Sequence, residues 1–95
     1  MTDERTDDEV RVWLVERSYD RDVANMINLT YATPDGDRAI HLERSLANPQ
    51  QADAVTAART APADRLEPVD DDDLRARYAR EAERISEDHD PDDTV

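Results

Sequence analysis

Cysteine, lysine and phenylalanine are missing from this 95-residue chain, and glycine and tryptophan occur once each. Without cysteine there is no disulfide, no thiol nucleophile and no Cys-built zinc or iron–sulfur centre. A single glycine rules out a Gly-rich phosphate cradle. Ser18 and Ser45 lack the strand, sharp turn and helix setting of a nucleophile elbow. No apolar run approaches the roughly 18 residues that span a bilayer. The opening stretch MTDERTDDEV is acidic and has no apolar stretch of the kind a secretory leader carries. An acidic surface is also repelled by anionic lipid headgroups. The expected address is therefore the cytoplasm, with no membrane partner.

Acidic charge dominates what is present. All 12 basic residues are arginine, set against 25 acidic ones, for a net charge of -13. Large apolar side chains are few, so the core is thin and the chain makes one domain. Ordering costs roughly 1.5 kcal/mol per residue against about 25 cal/mol per Å² of buried apolar area, and a thin core leaves little surplus. Self-repulsion lowers that surplus further in dilute buffer, whereas at 1 M salt the screening length falls to about 3 Å. Abundant Asp, no Lys and few large hydrophobes point to a protein built for molar salt.

The hydropathy pattern supplies the elements. Residues 1–9 read as a disordered acidic tail, 10–88 as a single domain and 89–95 as a second disordered acidic tail, with Pro91 barring a helix there. VRVWLVERSY is a strand, with Val10, Val12 and Leu14 on one face and Arg11, Trp13, Val15 and Arg17 on the other. MINLTYAT is the second strand and RAIHLERS the third. Between them, Pro34 to Asp37 form a tight turn in which Gly36 can take positive φ. That loop length sets Tyr31 opposite Ile40, Leu29 opposite Leu42 and Thr30 opposite His41.

Asn48, Pro49 and Gln51 resemble a helix start, and a short Ala-rich helix is expected from Pro49 to about Arg59. PADRLEP reads as a turn or single 3₁₀ loop anchored by Leu66. A longer helix follows the aspartate run, with Leu74, Tyr78, Ala82 and Ile85 on one stripe. The expected fold is α+β and two-layered. It is a three-stranded antiparallel β-meander followed by a short helix and a longer C-terminal helix packed on one face.

The charged clusters argue for structure more than for chemistry. Asp70 to Asp73 sit where a helix N-terminus favours negative charge. Asp71 with Arg75, Asp73 with Arg77 and Arg77 with Glu81 are spaced for one-turn ion pairs. The run lacks the glycine and distal glutamate of a calcium loop. In DHDPDD, with two His and no Cys in the chain, a closed transition-metal site would rest on tail carboxylates. No catalytic residue, cofactor or metal site is expected.

The far face of the sheet carries the functional expectation. With the apolar face under the helices, Arg11, Trp13, Arg17, Asn28, Thr30 and His41 share the open side. An aromatic flanked by arginines can receive a partner's side chain or stack a base. A protein partner or a second copy fits best. Nucleic acid is disfavoured by net acidity and by the steep loss of phosphate affinity with salt.

The segments VRVWLVERSYDRD, LTYATPDGDRAIHLERS, DRLEPVDD and RYAREAERISEDHDPDD resemble a group of short uncharacterised acidic proteins from halophilic archaea. The resemblance covers most of the chain from Val10 on. It implies the salt adaptation and the fold, and carries no activity or site residue.

Overall fold

The computed structural model describes residues 9–19, 26–45 and 55–95. Among the described residues there are five strands: β1 (Glu9–Tyr19), β2 (Met26–Ala32), β3 (Arg38–Ser45), β4 (Ala58–Pro62) and β5 (Glu67–Pro68). Also among the described residues, a 3₁₀ turn covers Ala63–Arg65 and the helix α1 covers Asp72–Asp88. The strands form one antiparallel sheet in the order β4-β1-β2-β3-β5.

The central meander follows the sequence pattern. Tyr31 stands opposite Ile40, Leu29 opposite Leu42 and Thr30 opposite His41. The register is set by the hairpin, where Thr33 N–H donates to the Arg38 carbonyl (3.0 Å) and Gly36 N–H donates to the Thr33 carbonyl (2.8 Å). Gly36 has φ 73°, as the turn requires.

The three-strand, two-helix arrangement is corrected in two places. The sheet gains β4 and β5 at its edges, and Glu9, assigned above to a tail, begins β1 opposite Pro62. Of the expected helix over 49–59, residues 49–54 lie outside the described residues. Its remainder is not helical: Val55 lies outside any helix or strand, Thr56 bridges to Thr94 and Ala58 opens β4. Ala-rich composition favours helix only weakly, and antiparallel pairing of Ala61 with Val10 and Arg59 with Val12 outweighs it here. Small side chains suit this edge, since Ala57, Ala58 and Ala61 are all buried.

β4 and β5 lie at opposite edges yet are joined by the short run from Pro62 to Glu67. That run includes the 3₁₀ turn and reaches about 15 Å at most. Four flat strand spacings would be about 19 Å. The sheet is therefore curled, with the connection passing beneath it and Leu66 entering the core there.

Inside the curl lie Val12, Leu14, Ile27, Leu29 and Tyr31, with Val55, Ala61 and Leu66 packed against them. Tyr31 donates its hydroxyl to the Thr56 carbonyl (2.8 Å), and Arg59 sits over its ring at 5.8 Å. Burial pushes the Tyr31 phenol up, partly opposed by Arg59.

α1 packs on the opposite face, the one carrying Trp13, and this reverses the expected placement. Tyr78 and Ala82 meet Val15, Ala32, Ala39 and Val69, with Trp13 and Leu74 at the margin. The reason lies in side-chain size. Ala32 and its cross-strand partner Ala39 leave a shallow trough in which Tyr78 can seat, while the other face is filled by larger side chains.

A bulge in β1 changes which residues share that face. The β1–β2 register shifts between Leu14 and Glu16, so Val15 is the extra residue and turns into the α1 core. Glu16 then takes the place opposite Thr30, and Arg17 falls opposite Leu29, on the far face from Trp13.

The aspartate run starts the helix. Asp71 is the N-cap and accepts from Asp73 N–H (2.8 Å) and Leu74 N–H (3.2 Å). The ion pairs differ from the expected set: Arg75 pairs with Asp72, Arg84 with Glu81 (2.7 Å) and Arg77 with Glu16 on the sheet (3.7 Å). Arg75 also donates to the Val69 carbonyl (3.1 Å), which ties the first turn back to the chain entering it.

Where disorder was expected over 89–95, the structure has a turn and an extended segment. Asp93 N–H donates to the Asp90 carbonyl (3.0 Å), and Pro91 occupies the second position of that turn. Residues 91–95 then run beside 55–58. Ala57 N–H donates to the Asp93 carbonyl (2.8 Å), Ala58 N–H to that of Pro91 (3.1 Å) and Val95 N–H to that of Val55 (3.0 Å). Proline ends α1 but keeps its carbonyl as an acceptor.

Candidate binding site at the Trp13 cleft

The six residues expected to share an open face are divided by α1 and by the bulge. Arg11 is exposed on β1 opposite Thr60, two positions before half-buried Trp13 on the same face. Asn28, Thr30 and His41 lie on that face in other rows, Asn28 opposite Glu43 and Ser18. Thr30 is buried, and its hydroxyl meets Nδ1 of exposed His41 at 3.0 Å. Arg17 has left the group: its guanidinium donates to the Val95 carbonyl (3.1 Å) on the other side of the sheet.

Around Trp13 a cleft of about 340 Å³ opens between the β2–β3 hairpin and α1. Pro34 supplies one wall, Ala79, Ala82 and Ser86 of α1 supply another, and Arg80 and Glu83 stand at the rim. Neither Arg11 nor Arg80 has an ion-pair partner among the described residues. An indole beside small helix residues, with the Arg80 guanidinium at the edge and Arg11 on the same face of β1, can take an apolar or aromatic side chain flanked by acceptors.

Pro34, Arg80, Glu83 and Ser86 were not foreseen as site residues. A periodic trace existed, because Ala79, Ala82, Glu83 and Ser86 recur at three- and four-residue steps beside the Leu74–Tyr78–Ala82 stripe. Which of the two stripes would border Trp13 depended on the face α1 chose.

A second cleft, of about 240 Å³, lies at the start of α1, with His41, Glu67 and Asp70 around a floor that includes Ala39, Leu74 and Tyr78. Beside it Tyr78 donates its hydroxyl weakly to Glu16 (3.5 Å). Burial raises the Tyr78 phenol, and the Glu16 carboxylate raises it further. Among the described residues no three His, Cys, Asp or Glu side chains gather into a metal-holding group. No described helix is long and apolar enough to cross a membrane.

Comparison with curated proteins and with solved structures returned no match. Residues 6–95 match a family described as "Family of unknown function (DUF7967)". A match over nearly the whole length makes the chain a member of that family, and the fold and clefts described above belong to a DUF7967 protein.

Proposed function

We propose that the protein is a small, non-enzymatic interaction domain, adapted to molar salt and acting in the cytoplasm, that receives a protein partner or a second copy of itself at the Trp13 cleft. One observation supports the reading above others. The chain's only tryptophan, its largest apolar side chain, is left half-buried at an open cleft while alanines close the adjoining core. A domain this poor in apolar surface gains most by burying such a side chain fully, and an association would complete that burial.

The same Trp and Arg groups would serve a nucleic-acid strand in a less acidic protein. At net charge -13 the long-range field repels phosphates, so the protein partner is preferred. The test combines light scattering after size exclusion with pull-down of a partner captured at about 2 M KCl, where exposed charges are screened. Association is expected to weaken in Trp13→Ala, Arg11→Ala and Arg80→Ala, while circular dichroism stays that of the parent. The lone tryptophan also reports directly, its emission shifting to the blue as the cleft is covered. Unchanged association in all three variants would overturn the proposal, and salt-sensitive capture of oligonucleotides would transfer the cleft to nucleic acid.

A further inference from the structure

We infer that residues 90–95 are a salt-operated clasp that closes over the edge of the domain at high ionic strength and opens ahead of the rest of the fold when salt falls. The clasp is the extended segment after α1, held to 55–58 by the three backbone hydrogen bonds from Ala57, Ala58 and Val95. Two further ties add to these. Arg17 donates to the Val95 carbonyl, and Val95 packs with Ile85 against the Tyr31-face core.

Its charge works against these ties. Glu87, Asp88, Asp90, Asp92 and Asp93 are crowded into the helix end and the turn, and all are exposed. Among the described residues Arg17, Arg84 and His89 line the cleft beside them, and Arg84 is already paired with Glu81. Asp93 is used locally, accepting from Asp90 N–H (2.9 Å) and lying 3.7 Å from His89 Nδ1. Among the described residues the carboxylates of Asp88 and Asp92 make no hydrogen bond and no ion pair. The segment thus combines a small apolar hold with a dense set of like charges.

Screening acts on this balance directly. The Debye length shortens from about 10 Å at 0.1 M to about 3 Å at 1 M, so repulsion among these exposed carboxylates is largely screened at high salt. Hydrogen bonds and Val95 packing change far less. Opening exposes two things together: the donors of Ala57 and Ala58, and the cleft between Leu14 and Ile85 that Val95 now borders. The clasp is therefore the low-stability end of the molecule, and ionic strength sets how often it is open.

Amide hydrogen exchange by NMR tests this on the full chain, comparing Ala57, Ala58 and Val95 with Leu29 and Tyr31 of β2. The lower KCl concentration is the lowest at which the β2 amides stay protected, and the upper is about 2 M. Clasp protection is expected to rise about tenfold across that range, and β2 protection to rise less. Asp88→Asn with Asp92→Asn removes two charges that no bond uses, and should give high-salt protection of the clasp already at the lower concentration. Parallel salt responses of clasp and β2 amides, or a double variant that exchanges like the parent, would overturn the inference.

Discussion

Replacing Gly36 by alanine tests the closest approach in the fold. Gly36 is buried at positive φ, and a Cβ there would overlap the Arg75 carbonyl oxygen and stand 2.9 Å from the Ala79 nitrogen. Both obstacles are backbone, so no rotamer change relieves them. Two costs follow. The left-handed conformation costs an L-residue about 1–2 kcal/mol. The overlap forces the hairpin roughly 1 Å from α1, a gap that forfeits a quarter to a half of each contact's dispersion energy. Because Tyr78 and Ala82 are seated against Ala32 and Ala39 just beyond the turn, that retreat loosens the whole interface. Together the loss is about 3 kcal/mol, or about 15 °C in Tm for a domain this size. Urea unfolding at fixed high KCl, followed by Trp13 fluorescence, measures it. Asn separates the terms, since it tolerates positive φ but still carries a Cβ. Gly36→Asn should lose about 2 kcal/mol, most of the alanine deficit. An asparagine variant within about 0.5 kcal/mol of the parent would show that only φ matters and would refute the close-approach argument.

Three further outcomes are expected. Asp71→Ala removes the acceptor for two first-turn N–H groups and should cost about 1 kcal/mol, while Asp71→Asn, itself a good cap, restores most of it; equal losses would remove the capping role. The Thr33 hydroxyl (2.6 Å), then the Asp37 N–H (2.9 Å), hold the Asp35 carboxyl below its ordinary range. Its contribution is thus full above about pH 4 and fades as pH falls through the depressed value, and Thr33→Val should raise the Asp35 midpoint in an NMR titration. Unfolding followed against KCl should show stability climbing with salt, as screening of a net charge of -13 requires; a flat profile would contradict the molar-salt reading.

The parts of the fold legible in the sequence are those fixed by short-range constraints. The four-residue turn from Pro34 to Asp37 determines which residue of β2 meets which of β3, and pairing of Tyr31 with Ile40 followed. The run Asp70 to Asp73 and the stripe of Leu74, Tyr78 and Ala82 located α1 for the same reason, whereas Ile85, expected on that stripe, packs against the Tyr31-face core instead. Longer-range choices were not legible. In VRVWLVERSY the apolar run from Val12 to Val15 fits either face of a regular strand, so nothing local marks Val15 as a bulge; only the pairing with β2 reveals it. Strand β4 is an alanine-rich stretch whose helical preference yields to a partner near the start of the chain. The choice of face for α1 depended on the joint smallness of Ala32 and Ala39, two residues that separately look unremarkable. The candidate site inherited that error. Trp13 and Arg11 stay together, but the surface around them is built by helix residues expected to lie on the other side.

The connection from β4 to β5 has a kinetic meaning beyond its geometry. The meander pairs residues close in the chain, whereas β4 must find Val10 and Val12 from the opposite half of the sequence. Loop-closure entropy favours the near pairings first, so β1, β2 and β3 can assemble before the far edge strands arrive. The run from Pro62 to Glu67 then acts as a hoop drawn around a sheet already formed. Damage within the hoop should show mainly as faster unfolding, and damage within the meander as slower folding. In a chain with so thin a core, lifetime in the folded state would be governed by the short band of residues that holds the curl closed.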